Sequence, residues 1–279
     1  MKSAESGRRI LPGVEIVLGL VMIIVAVPLA WTALLAFMPN RAIVSPTWDF
    51  SFWLGNFKDL YGPGTAFAAQ TVNSVLLTAG TVVLCLVIGS IAGYSLSRLG
   101  PPRWITLPAL ALAALLPLVP PMTLVPGLYL TMNALGLLGT VAGLTLLNTV
   151  FNLPFAVLLM KSYFDQISAE LREAALVDGA SEAQAFMRVM VPLVRPGMAA
   201  VGIYTAIMAW NEFLMALTMT SGGTSSPLTV GIASLVQPFE VTWGQMAAAG
   251  VLVSIPILIL AVIANRQIVS GLTAGAVKG

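Results

Sequence analysis

The sequence predicts an all-α, polytopic membrane protein with six transmembrane helices and both termini cytoplasmic. Three observations carry that expectation. Of 279 residues, 58% are hydrophobic and 9% are charged, with a mean hydropathy of +0.95, so too few charges exist to coat a water-soluble globule. Six runs reach the roughly 20 apolar residues needed to cross a hydrocarbon layer about 30 Å thick. Between those runs, the positive charges collect on one side of the expected membrane.

The runs are 14–38, 71–96, 105–130, 137–160, 198–220 and 246–264. Leu, Ala, Val and Ile dominate them without strict alternation, which reads as helices and not as barrel strands. The first run follows Arg8 and Arg9 as in a signal peptide. It is about 24 residues long and has no small-residue cleavage site before Pro39, so it reads as a retained helix. With a cytoplasmic N-terminus, Lys2, Arg8, Arg9, Arg98, Arg103, Lys161, Arg172, Arg188, Arg195, Arg266 and Lys278 lie inside, and only Arg41 and Lys58 lie outside. Eleven of the thirteen basic residues on one side support both the helix count and the orientation. The whole chain, 1–279, is expected to be one transmembrane domain in the cytoplasmic membrane of a bacterium, in contact with lipid. With a net charge of +2, no nucleic acid is expected as a partner.

Catalysis finds little to work with. Cys85 is the lone cysteine and His is absent, which removes disulfides, the commonest metal ligand and the commonest acid–base group. No H-E-x-x-H, G-x-S-x-G or G-x-x-x-x-G-K-[ST] pattern occurs. Neither enzyme activity, nor a bound metal, nor a nucleotide site is expected in this chain. An ion-coupled secondary transporter is the alternative. Such proteins often show two similar halves and a proton relay, whereas no internal repeat is recognisable here and only one acid lies well inside a span.

Two outward connections, 39–70 and 221–245, are too polar or turn-rich for lipid. The first holds Trp48, Phe50, Phe52, Trp53 and Phe57, which suit a segment at the membrane interface or a patch for a partner. The second holds the flexible 221–227 stretch and then the mildly apolar 228–236, which either dips toward the pore or reaches a partner. Gly89 with Gly93, and Gly139 with Gly143, have the spacing that lets helices approach closely. Pro108, Pro117, Pro120, Pro121 and Pro126 crowd the third run, as a kink lining the pathway or a bend in a structural helix.

The inward connection 161–196 carries nine of the 24 charged residues, so it has structure of its own. Ser168 is positioned to cap a helix with Glu170 in its first turn, running through Leu171, Ala174, Ala175 and Val177. Gly179 allows a break. Ser181 and Gln184 have the spacing of a capping box and start a second helix through Phe186, Val189 and Met190, expected to end at Val191 before Pro192. Small side chains between Glu173 and Asp178 suit the close approach of a second protein; an amphipathic pair that only anchors the loop in the interface has the same pattern.

Here the sequence resembles a family. Glu173, Ala174, Ala175, Leu176, Val177, Asp178, Gly179, Ala180 and Ser181, followed by Phe186 through Leu193 and Pro196, are similar to the EAA loop of binding-protein-dependent ABC importer permeases. The resemblance implies a coupling helix docked in a cleft of a cytoplasmic ATPase, with Glu173, Ala174, Ala175, Asp178, Gly179 and Ala180 at the contact. The family's proline before that helix is Ser168 here. Asn73 and Ser74, the 92–98 segment, 210–213 and the ending 271–279 are similar to the second permease of maltose- and trehalose-type importers. That implies a carbohydrate substrate, a second and different permease, two ATPase subunits that bind ATP and Mg, an extracytoplasmic solute-binding protein, and a C-terminal tail directed toward the ATPases.

Within the membrane, Glu212 stands about 21 Å up its helix at roughly 1.5 Å per residue from Met198, in the outer half. A carboxylate there is expensive, and its partner is sought in Trp210, Asn211 or the second permease. Gate or pathway lining, interface packing and a proton-linked role all remain open. Asn148, Asn152 and Gln237 are further pathway candidates, although Asn in such helices also ties neighbours together. Glu15 reads as an interfacial charge.

Overall fold

The computed structural model describes residues 12–45, 51–220, 224–237 and 241–275, with only the backbone described for residues 12, 13 and 264–275. Every regular element among them is a helix, beside one isolated bridge between Val236 and Val241. Two compact units divide the chain, one from Met1–Pro63 with Leu235–Val253 and one from Gly64–Ser234 with Ser254–Gly279.

In the first unit, α1 (Pro12–Leu35) is apolar on all faces, and its side chains up to Leu34 are nearly all exposed. A helix hydrophobic all round needs lipid or another chain around it. Two short helices follow, α2 (Asn40–Val44) and α3 (Gly55–Leu60). Buried Asn56 joins them to the end of α1, its amide donating to Ala36 O at 2.9 Å and Met38 O at 2.8 Å. Of the predicted aromatic set, Phe52 and Phe57 pack on Phe37 with ring centroids 5.4 and 5.1 Å away, and Trp53 is half exposed. Trp48 and Phe50 lie outside the described residues.

The second unit is built on α4 (Phe67–Tyr94), which continues into a π-helical turn, Ser95–Leu99. Next come α5 (Arg103–Leu115) and α6 (Pro121–Ala134), bent by 111° across a 3-10 turn, Leu116–Leu118. The predicted third span is therefore interrupted rather than one continuous helix. Pro117, Pro120 and Pro121 withhold three backbone donors within five residues, and the ladder cannot pass through them. The chain resumes as α7 (Val141–Asp165), whose N-cap Thr140 accepts from Gly143 N.

Glycine spacing succeeds in one place and fails in another. Gly89 and Gly93 of α4 meet α7, and a Cβ at Gly93 would lie 2.8 Å from both Lys161 N and Met160 Cβ. Since lipid is as apolar as Leu, such close packing and not apolar burial holds helices together in a membrane. Gly139 and Gly143 form no such close-packed face against a neighbouring helix, although Gly139 N donates to Met219 O at 2.9 Å. Gly139 is in the turn before α7 with φ +72°, and Gly143 abuts Leu137 O of that same turn.

After α7 come α8 (Ala169–Val177), α9 (Glu182–Ala185), a π-helical turn (Phe186–Met190) and α10 (Val191–Leu193). Then α11 (Arg195–Trp210) packs against α4 and α7. The predicted fifth span stops at Trp210 and restarts as α12 (Leu214–Thr220). A short α13 (Leu228–Ala233) leads to the long α14 (Trp243–Gly275). Among the described residues, four helices are long and apolar enough to cross a membrane, or up to six if each of two bent pairs counts as one span.

Candidate coupling site

The connection after α7 folds as a capped helix, a glycine turn and a second capped helix. Ser168 Oγ accepts from Glu170 N at 3.3 Å. At the far end of α8, Gly179 N bonds Leu176 O at 3.1 Å and Ala180 N bonds Ala175 O at 3.0 Å, the Schellman pattern that needs a left-handed residue. Gly179 supplies it with φ +85°. The capping box forms as expected, with Gln184 N to Ser181 Oγ at 3.3 Å and Ser181 N to Gln184 Oε1 at 2.9 Å.

One boundary differs. Helical structure runs through Pro192 to Leu193 instead of ending at Val191. Val191 N bonds five residues back to Phe186 O, and this wider turn makes room for a proline ring that would clash in a regular α-turn.

The joint faces outward. Glu173, Ala174, Asp178 and Gly179 are exposed, while Ala175 and Ala180 are half-buried. Leu171, Val177 and Met187 are exposed as well, Val177 to 87%. A Cβ on Gly179 would meet no other atom within 4 Å, so the backbone conformation and not internal crowding requires glycine there. Apolar groups displayed between acids in this way suit a protein partner.

Beneath that surface, Arg172 of α8 pairs with Glu182 of α9 through two hydrogen bonds of 2.7 and 2.6 Å. The same carboxylate accepts from the Tyr94 hydroxyl of α4. The hydrogen bond to Glu182 raises the Arg172 guanidinium above its ordinary pKa, and the bond from Arg172 holds the Glu182 carboxyl below the usual carboxylate value. Arg98 donates to the carbonyls of Phe164 and Ile167. Of these side chains, the sequence offers Tyr94 only within the 92–98 resemblance, and Arg98 there and as one of the inside basic residues. Their contacts are 66 to 88 residues away along the chain, beyond any local pattern.

The pathway candidates occupy two places. Asn148 and Asn152 lie one turn apart on α7, and each donates to a carbonyl of its own helix, Leu144 O at 3.0 Å and Asn148 O at 2.8 Å. Trp210, buried, and Asn211, exposed, end α11, and Asn211 donates to Ile207 O at 2.8 Å. Glu212 finds its partners in neither of them. Its carboxylate accepts from Met215 N at 2.7 Å and Ala216 N at 2.9 Å, capping the start of α12, and its own carbonyl accepts from Thr229 Oγ1 at 2.7 Å. The helix break liberates amide donors, and the nearest acid satisfies them. Gln237 is exposed.

The described helices make an all-α, multi-pass membrane protein with a structured loop. The chain superposes on a subunit in the crystal structure of a bacterial ABC transporter involved in the import of the acidic polysaccharide alginate, with a TM-score of 0.76, 22% identity, and coverage of 90% of this chain and 94% of that one. The chain belongs to the family of binding-protein-dependent transport system inner membrane components, whose model matches residues 85–273. Among its relatives are the trehalose transport system permease protein SugB of Mycobacterium tuberculosis, 34% identical over 90% of this chain and 92% of that protein, and the trehalose/maltose transport system permease protein MalG of Thermococcus litoralis, 32% identical over 93% and 94%. The diacetylchitobiose uptake system permease protein DasC of Streptomyces coelicolor is 34% identical over 90% and 91%. The protein is thus a transport permease and a multi-pass component of the inner membrane.

Proposed function

We propose that this chain, as a single permease domain with its coupling loop at 161–196, carries a carbohydrate across the bacterial cytoplasmic membrane by alternating access. The observation that carries the reading is the exposed, glycine-hinged joint between α8 and α9, in a chain whose relatives are named for trehalose, maltose and diacetylchitobiose transport. Glu173, Ala174, Ala175, Asp178, Gly179 and Ala180 dock into a cytoplasmic ATPase. ATP and Mg bind there and not to this chain, which does no chemistry. Two ATPases, a second and different permease, and an extracytoplasmic binding protein complete the importer, with both termini of this chain cytoplasmic.

The interrupted helix at 210–214 contributes to the pathway with Asn148 and Asn152, because non-helical backbone at membrane depth is tolerated where it lines a cavity or is buried in protein. Glu212 holds that interruption open as the cap of α12. Purification of the tagged chain from native membranes, with mass spectrometry of all co-purifying chains, tests the assembly. Recovery of a second permease, an ATPase and a solute-binding protein is the expected result. A chain that transports sugar alone in vesicles overturns the reading.

A further inference from the structure

The last residues of α4 grip the loop at three points. Tyr94, Ser97 and Arg98 are three and four positions apart and so share one face of the helix. Ser97 donates to Asp165 at 2.6 Å, and Asp165 also pairs with Lys161 at 2.6 Å. Arg98 takes the carbonyls of Phe164, at the end of α7, and Ile167, in the link to α8. Tyr94 reaches the other side of the loop. Its ring packs on Phe164 at 5.4 Å and on Phe186 at 4.8 Å, and its hydroxyl donates to Glu182.

Glu182 is the point where three elements converge. It is the first residue of α9, and its carboxylate holds Arg172 of α8 in a bidentate pair and accepts from Tyr94 of α4. Charge-assisted bidentate bonds fix orientation as well as distance. By contrast, the covalent exit from the loop is a bend of 75° between the 182–193 arm and α11, a joint through which a single backbone transmits rotation poorly. The grip on α4 has contacts before and after α8, so it transmits both push and rotation. Helix α4 passes on what it receives, because Gly89 and Gly93 bring its backbone into close contact with Ala156, Met160 and Lys161 of α7.

We propose that motion of the coupling loop is delivered to the membrane helices through α4, which moves with α9 as one body held by Tyr94, Arg172 and Glu182. These three are positioning residues: they touch neither sugar nor nucleotide. The proposal rests on the docking reading of the loop given above, and it adds the route by which docking becomes movement.

Its test uses the complex purified with its partner chains, in a Cys85→Ala background. Nitroxide labels are placed at Val87→Cys on α4 and Ala183→Cys on α9, both exposed positions. The distance between labels is measured without nucleotide and after trapping with ATP and vanadate. One narrow maximum, unmoved by trapping, is expected in the otherwise unaltered chain. With Tyr94→Phe and Glu182→Gln, which keep the rings and the side-chain volume, the maximum is expected to broaden and to shift on trapping. A shift in the parent chain overturns the proposal, and so does a distance that remains narrow and fixed in the double variant. If no ATPase co-purifies, the docking reading fails. The grip is then judged separately, from whether the double variant broadens the distribution in the chain alone.

Discussion

The loop between α7 and α11 and the interruption between α11 and α12 both break a helix, cap its restart and place an acid beside the break. They differ in what the acid serves. In the loop, Glu182 ties side chains of α8 and α4 together, leaving the backbone turn to Gly179 and the cap to Ser181 and Gln184. At the interruption Glu212 is itself the cap, spending both oxygens on Met215 N and Ala216 N. A joint assembled from several independent devices can be stiff and still present a surface. One built on a single carboxylate is open to change at that residue.

The largest effect is expected from Gly179→Asp. A non-glycine residue in the left-handed region costs about 1–2 kcal/mol, too little to unfold the chain, and the new side chain projects where nothing else in the chain stands. Sugar uptake and transport-coupled ATP hydrolysis should be lost at normal chain level, as read in vesicles containing the complex. Survival of both would break the distinction between loop and interruption.

Next, Glu212→Ala removes the acceptor for two amides. A buried donor left unsatisfied costs about 1–3 kcal/mol, so a clear drop in thermal stability in detergent is expected. Glu212→Gln keeps one acceptor oxygen and should alter uptake while the complex still assembles. Loss of the complex in that variant would instead assign Glu212 to packing between subunits.

The loop should be sensitive to acid. Because Arg172 lowers the folded-state pKa of Glu182, the stabilisation is complete above the unfolded carboxylate value of about 4.3 and is lost as pH falls below it through the folded value. Hydrogen exchange of the α8 and α9 amides should accelerate over that range in the parent chain and not in Glu182→Gln. The smallest effect is expected from Ser181→Ala, which removes one cap of α9 and costs about 1 kcal/mol, measured by the same exchange.

Where structure follows from neighbours in sequence, it was legible there. Ser168, Gly179, Ser181 and Gln184 act within three or four residues of themselves, and their caps and turn follow from that spacing. Pro192 does not end its helix at Val191, because a π-turn upstream absorbs its ring. Proline crowding in the third run announces a kink or bend, and the 111° of that break is set by packing. Glu212 was noticed as an expensive acid, and its partners were missed because the run 198–220 read as continuous. An acid three residues before a free amide is a capping signal only once a helix is known to start there.

The sequence by itself determined that the chain lies in a membrane, that it is helical, and that its 161–196 connection is a capped pair of short helices. These follow from apolar run length, charge placement and local hydrogen bonding. Only the tertiary structure decided which helices break, that Gly93 and not Gly143 receives a neighbouring helix, and that Tyr94 and Arg98 hold the loop. Those outcomes depend on contacts between residues far apart in the chain, where no periodicity connects one partner to the other.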